Sequence, residues 1–472
     1  MTTYKRTLPD IVVAGSIATI AILLGVLGVK NPLLAVGGFG IATMVAVATI
    51  DATLPTIAWL AVAPFVQALE PTSPLIILTL AFHRFLLPVA GLSALLGQSV
   101  RRRLRLFASE KWLLAFLAFA VVSLVMTWRG GAGGEGAATA QRTFLLAYVV
   151  PFGALLLAYR IPESSRRRLL ITLAIVAGVT SVGGVAQVVT GAAIFPGAAV
   201  WQEIWAPRAV GTMGNPAVTG YVTHVGLFAA VYLAVRQPGW RLVAVPTMIV
   251  GVVFTMLTYT RSAWVALALG IITVAWLYPK ARPWVVGSIM VVVVAFAVNV
   301  GGFVDSAFLE ERAGNQENVE GRVAFGSTGI RMFKDSPVVG QGFGTYDVRT
   351  RDFAVGFGRI GASVAVADTS HNTFLTILGE LGAVGFLLYV AAICSGLRRG
   401  VSALRGRIPA VDRLMIATLM AGAASYIVSA NLIDMRFFSF AVSLFWFNVG
   451  LIDASARHAV EGPRAGAGEP RR

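Results

Sequence analysis

Charge and cysteine are scarce in this sequence. Only 13% of its 472 residues are charged, against 57% that are hydrophobic, whereas a soluble domain carries about 25% charge. Mean hydropathy is +0.78. A soluble chain of this length would fold as about three domains, and too few polar side chains are present to cover them. The single cysteine, Cys394, lies in an apolar run, which excludes an internal disulfide framework and a thiolate metal centre. The four histidines (His83, His224, His371, His458) are scattered, with no H-E-x-x-H pair. D-x-D and G-x-x-x-x-G-K-[ST] are missing too, so nucleotide-sugar and P-loop chemistry lack their usual metal or phosphate handles. No metal site and no cofactor are expected.

What the chain has instead is long apolar runs. A bilayer core takes about 20 apolar residues per helix. Candidate spans cover 11–29, 33–50, 52–69, 75–97, 111–128, 142–159, 169–190, 216–235, 242–260, 262–278, 284–301, 371–394, 412–433 and 435–453. The expected fold is an all-α polytopic membrane protein of about 12–14 transmembrane helices with one long extracytoplasmic loop. The first span follows a basic start but has no small-residue cleavage site, so it reads as a retained helix and not a signal peptide.

Basic residues fix the expected orientation. With Lys5 and Arg6 in the cytoplasm, the same side receives Arg101, Arg102, Arg103 and Arg105, the cluster Arg160 to Arg168, Arg236 and Arg241, Lys280 and Arg282, and Arg398 to Arg413. Acidic and basic residues then balance on the outer side, and the whole net charge of +16 falls on the cytoplasmic side, as the positive-inside rule asks. Charge spread over short loops reads as topology and contact with anionic membrane lipids; no nucleic-acid partner is expected. The chain divides into N-terminal spans (1–200), a second set (201–455) that includes an outer loop at 302–370, and a low-complexity cytoplasmic tail (456–472) expected to be disordered. Gly130 to Gly136 form an external linker. A 302–370 loop is far longer than connecting loops usually are, and such loops are usually functional. Its arginines and aromatics suggest short helices lying on the membrane.

Polar residues crowd the outer ends of the spans. Arg208 precedes the glycine-containing stretch V-G-T-M-G-N-P that opens the eighth span, and Arg261 sits between two spans with almost no loop. His371 and Asn372 open the twelfth span, and Arg142 lies at the outer end of the sixth. Each has a plainer use. An arginine at a helix end also serves to snorkel toward headgroups, and a histidine there can be a simple cap. The G-Q-G-F-G stretch follows Pro337 in an outer loop without a βαβ unit, so it reads as a turn and not as a dinucleotide fingerprint.

Taken together these segments are more specific. Thr-Arg-Ser at 260–262, the run from Gly321 through D-S-P-V-V-G-Q-G-F-G to Gly344, and H-N-T-F-L with G-E-L-G-A-V-G from His371 to Gly385 resemble the O-antigen ligase/polymerase family. The likeness covers roughly residues 200–450, with the long loop where that family carries its large periplasmic loop. The resemblance implies an extracytoplasmic glycosyltransferase in a bacterial inner membrane. Such enzymes pass a glycan from a polyprenyl diphosphate to a lipid or glycan acceptor hydroxyl, with inversion and without a metal. By the family pattern Arg208 and Arg261 would hold the diphosphate, with Arg142 a weaker third cation, and His371 would assist or orient the acceptor. The chemistry of the side chains agrees. Guanidinium forks bind phosphate oxygens bidentately and stay charged, and an imidazole titrates where a general base is useful. The alternative is a transporter or lipid flippase, which the number of spans would suit. Against it, no inverted repeat or paired broken helices of the carrier kind are evident.

Two charges fall inside spans: Arg84 in the fourth and Glu380 in the twelfth. Each is the tenth residue of a span running inward from the outer side, so both should lie about 13–14 Å deep. Charges at that depth usually pair, and an Arg84–Glu380 ion pair is expected. Nine steps of 100° place Glu380 half a turn from His371, which makes its role structural.

Overall fold

The computed structural model describes residues 42–66, 80–101, 106–129, 135–195, 207–283, 317–354 and 370–461, with a few isolated positions besides. The expected span 11–29, nearly all of 284–301, the first part of 33–50, most of the Gly130 to Gly136 linker and the end of the tail lie outside the described residues. So do positions 302–316 and 355–369 of the long loop.

Every assigned element among the described residues is helical. In chain order they are α1 (Thr53–Val66), α2 (Leu86–Arg101), α3 (Ala108–Thr127), α4 (Glu135–Phe144), α5 (Val150–Arg160), α6 (Glu163–Thr190) and α7 (Pro216–Arg236). They continue with α8 (Arg241–Leu257), α9 (Arg261–Leu277), α10 (Glu317–Asp335), α11 (Tyr346–Phe353), α12 (Thr373–Arg405), α13 (Ala410–Leu432) and α14 (Ser439–Glu461). Two π-helical segments, Leu80–Phe85 and Leu145–Val149, lead into α2 and α5. Among the described residues, eight helices are long and apolar enough to cross a membrane, and three more apolar helices are shorter. Each of these eleven overlaps one expected span, so the chain is a multi-pass helical membrane protein.

The bundle is organised around α7 and α14, whose apolar windows are both 94% buried. Helix α7 packs on α6, α8 and α13, while α14 packs on α5, α12 and α13. Without water to drive helices together, close backbone approach over small residues does the work. A Cβ on Gly91 of α2 would meet Gly153 O of α5 at 2.5 Å, and one on Gly226 of α7 would meet Leu173 O of α6 at 2.5 Å. The start of α7 follows local chemistry: Asn215 caps it by accepting from Ala217 N and Val218 N, and Pro216 occupies the first turn. Short connections reverse the chain, so the ends carrying Arg160, Arg236, Lys280, Arg399 and Arg457 share one side. The starts of α9, α12 and α14 share the other.

Helix α12 is broken. At Gly382 the backbone leaves the helix, with φ 60° and ψ −163°. The loop following α10 fills the break. Gln341 N donates to Gly379 O (3.0 Å) and Gly342 N to Glu380 O (2.9 Å). Beyond the break, Ala383 N donates to Pro337 O (2.8 Å) and Val384 N to Val338 O (3.1 Å). Four backbone groups that an unbroken helix would pair internally are thus paired by the loop, as burial in an apolar bundle demands. The far side of the loop is pinned to α3: Phe343 N donates to Ser123 Oγ (3.0 Å), and Trp128 Nε1 donates to Phe343 O (3.1 Å).

Such close approach needs glycine. Gly340 has φ +75°, and a Cβ there would lie 2.4 Å from the Glu380 carbonyl. Gly340→Ala combines a left-handed backbone with overpacking and should cost about 2–4 kcal/mol. Gly239 has open space around it, so Gly239→Ala should leave the apparent Tm in detergent within a degree or two while Gly340→Ala lowers it by many degrees. Equal Tm values for the two variants would show that the loop is not seated in the helix break.

Candidate functional site

The docked loop, the start of α12 and the α13–α14 turn meet at one end of the bundle. The His371 turn is built by its neighbours. Asn372 caps α12, accepting from Phe374 N and Leu375 N at 3.0 Å, and its side-chain nitrogen donates to Asn431 O (3.0 Å). Ser370 Oγ accepts from Asn372 N (3.1 Å) and lies 2.7 Å from Thr376 Oγ1. Held this way, His371 adopts φ 52°, one of two non-glycine residues with positive φ among those described. The other is Tyr259, two residues before Arg261. Left-handed backbone in a non-glycine residue is strained, and such strain persists where the surroundings impose it, commonly at functional sites. His371 lies outside the helix, so the half-turn count to Glu380 does not describe their relation.

The imidazole of His371 faces α10. Its ring meets Phe325 edge-on, centroids 4.7 Å apart, and Arg322 lies one turn earlier on α10. Protein packed around His371 lowers its pKa below 6.5; the Arg322 charge lowers it further, and Asp434 opposes them. Arg322 feels the charge of Arg261 in turn. Arg261, Arg322 and His371 are all exposed and form one cationic surface at the mouth of the bundle. Arg208 is buried, 7% exposed, in the turn leading to α7. The next residue, Ala209, donates its N–H to Leu257 O (2.9 Å) at the end of α8, four residues before Arg261.

Beneath this surface lies a buried ion cluster. Arg436 donates from Nη1 to Glu380 Oε2 (2.8 Å) and from Nη2 to Asp434 Oδ2 (2.9 Å). Asp434 also accepts from Thr376 Oγ1 (3.1 Å), and Glu380 Oε1 accepts from Tyr346 N (3.3 Å). The cluster joins both halves of the site: Glu380 precedes the helix break, and Asp434 neighbours His371 through Thr376.

Here the expected Arg84–Glu380 pair is corrected. Glu380 pairs with Arg436, because the 3-10 turn Met435–Phe437 delivers that arginine between α13 and α14. Arg84 lies instead beside Arg142 on a separate groove. Arg142 therefore stands with Arg84 and has no described contact with the His371 cluster. The sequence motifs alone gave no role to Arg322, Asp434 or Arg436. The signal was present as I-D-M-R-F, an acid and a base two residues apart in an otherwise apolar connection. Among the described residues no group of three or more His, Cys, Asp or Glu could hold a metal ion.

Residues 219–390 match the family model described as O-antigen ligase. The match begins in the first turn of α7, includes Arg261, Arg322, the docked loop and His371, and ends within α12 beyond its break. No curated protein matches the chain.

Arg436→Gln strands two buried carboxylates and should cost about 3–5 kcal/mol. Glu380→Gln should cost less, because Asp434 still compensates Arg436. The double variant should lose less than the sum of the two, whereas Arg84→Ala and Glu380→Ala should be additive. Thermal unfolding in detergent measures both cycles. Coupling between Arg84 and Glu380, or additivity between Arg436 and Glu380, would reverse the assignment.

Proposed function

From the O-antigen ligase domain that this membrane protein carries over residues 219–390, a domain of a glycosyltransferase-type enzyme, we propose the following reaction. A glycan passes from a polyprenyl-diphosphate carrier to an acceptor hydroxyl on the outer face of a bacterial plasma membrane. The observation that carries this reading is the convergence of Arg261, Arg322 and His371 inside the matched region, on the end of the bundle opposite the basic loops. A diphosphate leaving group needs fixed positive charge, and preorganised cations aimed at developing charge are among the strongest catalytic devices.

Arg208 and Arg261 hold the diphosphate, and Arg322 adds a third fork. The acceptor hydroxyl oxygen attacks the anomeric carbon as the carbon–oxygen bond to the diphosphate breaks. The bonding electron pair leaves with the diphosphate, and the hydroxyl proton passes to the imidazole of His371. A single displacement inverts the anomeric centre. The arginines take the place of a divalent ion, so the reaction runs without metal. A neutral imidazole is required, and the packing and Arg322 charge that lower the His371 pKa keep it so at pH 7. A deletion strain separates the two members of the class. Shortened surface glycan marks a polymerase, and full-length glycan left on the carrier marks a ligase. Unchanged glycan on both carrier and surface would refute the reading.

His371→Ala should lower transfer in a purified assay by about 10²–10⁴-fold. The wild-type rate should fall on the acid side with a midpoint below 6.5, because only unprotonated His371 accepts the proton. Near-normal transfer by the variant would remove His371 from the chemistry.

Arg261→Lys and Arg208→Lys keep the charge and lose the fork. Each should weaken binding of a glycan-free polyprenyl diphosphate by about tenfold or more, the scale of one charge-assisted hydrogen bond, and transfer should persist in EDTA. Undiminished lipid affinity would leave these arginines with a snorkelling role alone.

A further inference from the structure

A second cationic feature lies on the same end of the bundle, apart from the His371 cluster. Arg84, Phe85, Pro88, Val89, Arg142, Leu145 and Leu146 line a groove of about 250 Å³. Its walls are apolar, and Phe85 (54% exposed), Val89 (37%) and Leu145 (44%) open onto the outside of the bundle. Two guanidinium groups stand at one place in this apolar setting, and the charge of Arg142 acts on Arg84. Neither is in a salt bridge among the described residues.

The groove is also built from unusual backbone. Both π-helical segments among the described residues border it: Leu80–Phe85 carries Arg84 and Phe85, and Leu145–Val149 carries Leu145 and Leu146. Single π turns inside α-helices are uncommon and frequently mark functional sites. Each segment is tied down. His83 Nδ1 accepts from Trp59 Nε1 (3.2 Å), and the His83 ring lies against Phe440, centroids 6.0 Å apart. Leu146 O accepts from Ser439 Oγ (2.6 Å). His83 is anchored inward while Arg84, the next residue, is presented to the groove.

We propose that this groove binds the headgroup of an anionic phospholipid from the surrounding bilayer, with its phosphate between Arg84 and Arg142. Its acyl chains would run along Phe85, Val89 and Leu145. Charge selects the occupant. Two arginines with no carboxylate paired to them among the described residues match one phosphate, which guanidinium forks bind with charge-assisted hydrogen bonds. Size is compatible with a single headgroup, since the groove of about 250 Å³ lies just below the ~300–1,000 Å³ of ordinary small-molecule pockets. The apolar, outward-facing walls suit a ligand that arrives laterally from lipid. The inference does not depend on the transfer reaction, because none of its residues belongs to the His371 cluster.

Native mass spectrometry of the detergent-solubilised full chain, titrated with phosphatidylglycerol, tests the site. The wild type should retain one phosphatidylglycerol at least tenfold more tightly than the Arg84→Gln/Arg142→Gln variant, and His371→Ala should bind it as the wild type does. Val89→Trp fills the groove and leaves both arginines in place, so it should weaken the same adduct. This variant keeps the test decisive should the double variant fail to fold. Phosphatidylglycerol affinity within twofold of wild type in Val89→Trp would overturn the proposal. So would groove-dependent retention of a polyprenyl diphosphate in preference to phosphatidylglycerol.

Discussion

An interrupted membrane helix has to satisfy the backbone groups that it frees, because a bilayer offers no water to do so. In this protein the break at Gly382 is satisfied by another piece of the same chain, the loop from Pro337 to Gly342, through four backbone hydrogen bonds. The consequences reach through the whole site. The loop fixes α10 against the first turns of α12, which sets Arg322 and Phe325 beside His371. The segment after the loop brings Tyr346 N to Glu380. The broken helix leaves Glu380 facing Arg436, which holds Asp434, and Asp434 reaches back to Thr376 beside the His371 turn.

This arrangement ties the elements of the site together through buried ion pairs and backbone hydrogen bonds. A buried arginine between two carboxylates is costly to dismantle, though not clearly more stabilising than an apolar replacement would be. Its contribution is better understood as register: α12, the docked loop and the α13–α14 turn are held in one relative position. The strained backbone of His371 fits that view. A φ of 52° persists because Ser370, Asn372 and Thr376 determine the turn from both sides.

Much of the fold was legible because hydrophobic length and the placement of arginine are strong signals in membranes. All eleven apolar helices among the described residues overlap runs that hydropathy alone picks out, and the basic residues gather at one end of the bundle. That Arg261 and His371 fall at the same end of the bundle was equally legible, since polar residues at the mouths of spans are few. Pairing was not. Arg84 and Glu380 have similar depths in the sequence, yet depth along a helix axis says nothing about which helices are neighbours. The partner of Glu380 came from the short turn Asp434 to Phe437, whose acid and base mark it as unusual but do not say which helix they meet. The glycines at 340, 342 and 344 were read correctly as a turn, but a turn is a local property. Its use, filling a break 40 residues later in the chain, is a tertiary one that no local pattern announces.

The account rests on the claim that the docked loop and the start of α12 assemble a diphosphate site from Arg261 and Arg322 beside His371. The most direct measurement is an electron cryo-microscopy structure of the full chain with a polyprenyl diphosphate bound. The account requires the diphosphate within hydrogen-bond distance of the Arg261 and Arg322 guanidinium groups, with its sugar-bearing end toward His371. A diphosphate bound elsewhere, with these three side chains unchanged and facing solvent, would contradict it.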